Sequence, residues 1–141
     1  GLQVPEVDSL NSDDLTILNN VSENYKILID YINDQNINSY MNFIVDQMFE
    51  ANKYFNDQEP WKKKDDLKRL KAIIYTSLEL IRKISILLYP VIPQSSLKVL
   101  NIFKIKEEDI DIKTIKNNNF LLSGLKIHKI GILFNKVTSN D

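Results

Sequence analysis

Along three long stretches of this chain, apolar residues return every three to four positions, and each stretch ends in proline or an asparagine-rich break. That period lines one side of a helix and does not fit the alternation of a strand. Leu15, Leu18, Val21, Tyr25, Leu28, Ile29 and Ile32 predict a helix over about 13–33. Its start falls at Ser12-Asp13-Asp14, a capping residue followed by acids that favour the helix dipole. After Asp34-Gln35-Asn36, the run Tyr40, Met41, Ile44, Val45, Met48, Phe49 and Phe55 predicts a second helix over about 37–55. It must stop before Pro60, which pushes Glu59 to extended angles. The broadest apolar face, from Leu67 to Leu88, predicts a third helix over about 63–89. Pro90 and Pro93 close it, and a short fourth helix follows over about 93–103 with Leu97, Val99, Leu100 and Phe103.

Residues 1–11 read as an extended lead-in, because Pro5 turns Val4 away from helical angles. Beyond the fourth helix, Glu107-Glu108-Asp109 suits a single turn, and residues 110–134 show no helical period. That segment reads as a tail folded back over the helices, with a short strand. The expected fold is therefore all-α, a bundle with an irregular C-terminal tail, built as one domain over residues 1–141. A chain of 141 residues with 43% apolar and 26% charged side chains has enough apolar content to bury a core of its own.

Several chemistries find no footing. Without cysteine, disulfides and thiolate metal sites are excluded, and a reducing, cytoplasmic setting fits. No apolar run reaches membrane-spanning length, and GLQVPEV is not the start of a signal peptide. Three glycines cannot build the usual phosphate loops. The single histidine, His128, reads as a surface or packing residue. Asp13-Asp14, Asp65-Asp66 and Glu107-Glu108-Asp109 all stand at helix starts, where the dipole explains them without a metal. No catalytic centre, metal site or cofactor site is expected within these residues.

Charge is divided along the chain. Residues 1–60 carry −9 and residues 61–141 carry +8. The two regimes meet at Glu59-Pro60-Trp61-Lys62-Lys63-Lys64, which holds the only tryptophan. Proline fixes the backbone before the indole, and the lysines follow at once, with Lys68, Arg69 and Lys71 further on. An aromatic ring held at a corner among cations suits an unstacked base. Stacking contributes about 1–3 kcal/mol per base, and lysines neutralise the phosphates. Single-stranded loops are where proteins usually read RNA sequence. The same residues also fit a plain packing role, with Trp61 capping the core and the lysines solvated.

The pattern Ala51-Asn52, Tyr54-Phe55, Pro60-Trp61 and then a basic helix start resembles the methionyl-tRNA synthetases. So do Val4-Pro5 before an acidic helix, Tyr89-Pro90-Val91-Ile92-Pro93 after the long helix, and the closing stretch from Gly124 to Leu133-Phe134-Asn135-Lys136-Val137. At Asn135 and Lys136 that family more often has proline and arginine. The resemblance implies the anticodon-binding helical bundle of a class I aminoacyl-tRNA synthetase. It implies that Trp61 stacks on an anticodon base and that Pro60 holds it. Asn52 either supports the site or fixes the inter-helix connection through an internal hydrogen bond. Lys62, Lys63 and Lys64 are expected at phosphates.

The family's H-I-G-H and K-M-S-K-S motifs are missing, so ATP with magnesium, and methionine, would belong to a catalytic domain outside this sequence. The family's first helix in this domain, with an asparagine and an arginine four apart, would lie before Gly1. The partners implied are methionine tRNA with its CAU anticodon and the catalytic domain of the same polypeptide, with neither DNA nor membrane. Two other readings stay open. One is the equivalent domain of another class I synthetase, which the spacing from Asn52 to Trp61 argues against. The other is a non-enzymatic helical adaptor whose functional surface is an exposed apolar groove.

Overall fold

A computed structural model describes residues 2–127, so His128 and the Leu133–Val137 part of the closing stretch lie outside the described residues. Among the described residues there are five α-helices: α1 (Ser12–Ser22), α2 (Tyr25–Asn33), α3 (Ile37–Gln58), α4 (Leu67–Leu88) and α5 (Pro93–Ile102). The fold is the expected helical bundle. Helix α4 runs through its centre and packs against α1, α3 and α5. Leu18, Val21, Leu28, Ile44, Ile73, Leu87, Leu100 and Ile115 are wholly buried at that junction. Burial of apolar side chains there supplies the main drive to fold.

The helix boundaries differ from the expected ones in several places. The stretch 13–33 is two helices. Asn24 donates its side-chain amide to the Asn20 carbonyl at 2.6 Å, the acceptor its backbone N–H would use in a continuous helix. That N–H turns to the Val21 carbonyl instead. Apolar spacing runs through the break because α1 and α2 line the same core, so periodicity alone cannot show it. Helix α1 is capped one residue earlier than expected, by Asn11. Its side chain accepts from the Asp14 N–H, and Asp14 accepts from the Asn11 N–H, both at 3.0 Å. Helix α4 starts at Leu67, because residues 63–66 form a turn and the Asp66 side chain caps the Arg69 N–H at 3.2 Å.

The tail folds back as expected. It makes two 3₁₀ turns, Glu107–Asp109 and Ile112–Lys116, and buries Ile115 and Leu121. Two-residue strands β1 (Leu2–Gln3) and β2 (Lys126–Ile127) then pair antiparallel, Leu2 opposite Ile127. Gly124 makes the approach at φ +86°, in a region that L side chains rarely adopt, and its N–H reaches the Val4 carbonyl at 2.7 Å.

Three charged residues of α4 hold this tail from inside. Glu79, Arg82 and Lys83 are buried. Arg82 pairs with Glu79 at 2.6 Å and donates to the carbonyls of Thr114 and Asn117, with Phe120 under its guanidinium at 4.7 Å. Glu79 accepts the Phe120 N–H at 2.5 Å. Lys83 donates to Ser22, the Ile115 carbonyl and Asn118.

Candidate nucleic-acid interface

Helix α3 runs three residues past its expected end, to Gln58. Glu59 then takes left-handed angles, φ 48° and ψ 59°, and not the extended angles expected before a proline. Its N–H returns to the Asn56 carbonyl at 3.3 Å, so the residue serves as a helix stop as well as a pre-proline linker. Pro60, Trp61 and Lys62 form one 3₁₀ turn, with the Lys62 N–H on Glu59 and the Lys63 N–H on Pro60.

That turn sorts the site residues by exposure. Pro60 is buried, while Trp61 is 52% exposed. The indole lies at the α3–α4 corner, beside Phe55, with ring centroids 6.2 Å apart and planes inclined by 57°. About half of the indole is thus open to solvent, while Pro60 packs inward. Asn52 is exposed, one turn of α3 before Phe55, and forms no side-chain hydrogen bond among the described residues. Lys64 is exposed and Lys63 half-buried. Lys62 is already engaged, with its ammonium on Glu59 at 2.6 Å. Hydrogen bonding to Lys62, and the charge that goes with it, hold the Glu59 carboxyl below its usual range.

Beneath the bend lies a network that sequence reasoning did not find. Arg69 belongs to it and not to the cation cluster. Its guanidinium grips the buried Asp14 carboxylate in a two-pronged pair at 2.7 and 2.8 Å, and reaches the Gln58 side-chain oxygen at 2.8 Å. The Tyr54 hydroxyl donates to the same carboxylate, and the Gln58 amide reaches Asp13 at 3.3 Å. One carboxylate on α1 thereby ties the end of α3 to the start of α4, across the corner that presents Trp61. Burial would raise the Asp14 carboxyl, but hydrogen bonds from Arg69, Tyr54 and the Asn11 backbone outweigh it and hold the group below its usual value of 3.8. Burial, and then the Asp14 hydrogen bond, push the Tyr54 hydroxyl up. The only signal in the sequence was the Asp14–Arg69 charge pair, separated by 55 residues and carrying no fixed spacing.

Two further features adjoin this corner. Val45, Met48, Phe49 and Phe55 are all at least 41% exposed and follow helical spacing along α3, beside the buried stripe of Tyr40, Ile44 and Tyr54. A groove of about 510 Å³ opens between the lead-in and Lys71, lined by Gln3, Glu6, Ser123 and Gly124, and contains none of the expected site residues. Among the described residues, no three His, Asp or Glu side chains come together to hold a metal, and no helix is long and apolar enough to cross a membrane.

The family model described as the anticodon binding domain of methionyl tRNA ligase matches residues 4–141. A methionine–tRNA ligase of Methanosphaera stadtmanae is 29% identical over 96% of this chain and 22% of its own length. That of Methanocaldococcus jannaschii is 31% identical over 96% of the chain and 19% of its own length. The chain thus spans about a fifth of the length of these relatives. Among solved structures, the free form of Mycobacterium tuberculosis methionyl-tRNA synthetase superposes on 89% of the chain and 26% of its own, with a TM-score of 0.81 at 21% identity. At that identity the likeness speaks for the fold. The family match over nearly the full length goes further: this chain belongs to the anticodon-binding domains of the methionyl-tRNA ligases.

Proposed function

We propose that the chain reads the CAU anticodon of methionine tRNA by stacking an extruded base on Trp61. The carrying observation is the indole, 52% exposed on a turn whose proline is buried. A rigid aromatic open to solvent loses little freedom on receiving a base, and stacking contributes about 1–3 kcal/mol. Lys63 and Lys64 follow directly after that turn and meet the flanking phosphates, while Lys62 joins them on leaving Glu59. Asn52 is open to a base edge or the ribose. As one domain over residues 1–141, the chain serves a cytoplasmic enzyme whose catalytic part supplies the sites for ATP, magnesium and methionine. The exposed stripe on α3 suits packing against the remainder of such an enzyme.

The test is Trp61→Ala in the enzyme that carries this domain. Charging of methionine tRNA should fall roughly five- to 150-fold in kcat/KM, equivalent to about 1–3 kcal/mol. Methionine activation by ATP without tRNA should be unchanged. Unchanged charging would sink the proposal, and loss of both activities would mark a folding defect in place of lost recognition.

A further inference from the structure

Trp61 stands on a short 3₁₀ turn, and its flanking backbone hydrogen bonds fix the main chain only. Its side-chain torsions need another restraint if the ring is to be ready for a base. Among the described residues Trp61 has one aromatic neighbour, Phe55, on the last turn of α3. The centroid separation of 6.2 Å and tilt of 57° lie within the range in which aromatic quadrupoles attract. Both rings are only partly covered: Phe55 is 41% exposed and Trp61 52%. Phe55 forms a wall on one side of the indole.

We propose that Phe55 is a positioning residue for anticodon recognition, holding the Trp61 ring in one orientation with one surface open to a base. The inference rests on the Trp61 stacking reading and deepens it. Binding to a ring already oriented avoids the entropic cost of fixing two side-chain torsions on association. The arrangement couples recognition to α3, since Phe55 sits one residue after Tyr54 of the Asp14–Arg69 network. The brace is therefore fixed to the same structure that holds the corner.

Trp61 is the only tryptophan among the 141 residues, so its emission reports the brace directly. In this chain, time-resolved fluorescence anisotropy of Phe55→Ala should show faster and wider indole motion than the wild type, with a cooperative melt retained. Phe55→Tyr should restore the restraint, whereas Phe55→Leu, apolar but without a ring, should not. In the enzyme that carries the domain, Phe55→Ala should lower kcat/KM for methionine tRNA roughly three- to tenfold, the effect of losing one aromatic pair. Phe55→Tyr should keep it, and methionine activation without tRNA should not change. Unchanged indole motion in Phe55→Ala, or freer motion with undiminished charging, overturns the inference. So does equal charging by the Leu and Tyr variants, which would make Phe55 an apolar spacer. Trp61→Ala, run alongside, separates the two claims. If it too leaves charging intact, the stacking reading itself has failed; if it weakens charging while Phe55→Ala does not, only the brace is lost.

Discussion

At the α3–α4 corner, Asp14 accepts hydrogen bonds from Arg69, Tyr54 and the Asn11 backbone while fully buried. Asp14→Asn keeps the shape but leaves the Arg69 guanidinium without its counter-charge. Denaturant unfolding should show a loss of about 3 kcal/mol, the lower end for breaking a buried pair, because Arg69 keeps Gln58 and some solvent. The folded-state carboxyl titrates below its unfolded value of 3.8, so the unfolded chain takes up the proton first as pH falls. This stabilisation is complete above about pH 5 and drains away as pH drops through 3.8 and below. The Asn variant should lack that part of the acid-denaturation profile. Glu59 offers a contrasting case: its ion pair with Lys62 is exposed, so its effect on stability should be slight. If Lys62 meets a phosphate, Glu59→Gln frees the ammonium and removes a nearby negative charge. Binding of an anticodon stem-loop should then tighten roughly twofold at low salt and lose the gain as salt rises. Unchanged affinity would place Lys62 outside the interface.

The helices end by means the residue types do not advertise. Helix α2 closes with the Asn36 N–H on the Tyr31 carbonyl and the Gln35 N–H on Ile32, and α5 with the Ile105 N–H on Leu100 and the Lys104 N–H on Asn101. These are paired closures in which one residue takes left-handed angles, a position glycine usually fills. Here Gln35 and Lys104 fill it, at φ 58° and 55°. Gln35→Gly should therefore stabilise the fold by roughly 0.5–1 kcal/mol, the relief of left-handed strain less the added freedom of the unfolded chain. A thermal melt lower than wild type would show that the strain is already absorbed. Sequence reasoning placed this break correctly from Asp34-Gln35-Asn36, although the stop itself carries no glycine signal. The α1–α2 break was illegible for a related reason: a side-chain hydrogen bond makes it, and the apolar stripe runs on across it.

In the molecule as a whole, α4 holds the tail by a buried polar cluster. Lys83 lies wholly inside, among oxygens from α1 and the tail, with Glu79 and Arg82 as charged neighbours on its own helix. Burial first, then the Arg82 charge, pull its ammonium down to about 7 from 10.5. Ser22 can accept a hydrogen bond from the ammonium or donate one to the amine, so the cluster accommodates either state. Between pH 7 and 10.5 the unfolded chain holds a proton that the folded chain has released, so stability rises with pH across that window and is flat below it. Above about pH 10 the tyrosines reverse the trend, because burial raises Tyr40 and Tyr75 to about 12 and only the unfolded chain ionises there. Urea melts should show the rise between pH 7 and 9.5 in the wild type and its absence in Lys83→Met. A flat wild-type profile would mean that Lys83 stays charged inside.

Residue order and type alone set out most of the helices, their faces and the Pro60-Trp61 corner, because apolar period and the helix-stopping effect of proline are local properties that survive without a partner. They also singled out Trp61, since a lone indole between a proline and three lysines needs no context to be noticed. What only the tertiary structure decided was which charges are free. Arg69 and Lys62 look alike in the sequence as basic residues of one cluster, yet one is locked to Asp14 from 55 positions away and the other rests on Glu59 in solvent. The left-handed angles of Glu59 and the buried cluster of Glu79, Arg82 and Lys83 were settled in the same way. Coulomb attraction, desolvation and hydrogen bonding depend on distance in space, and the order of residues along a chain does not contain that distance until the chain has folded.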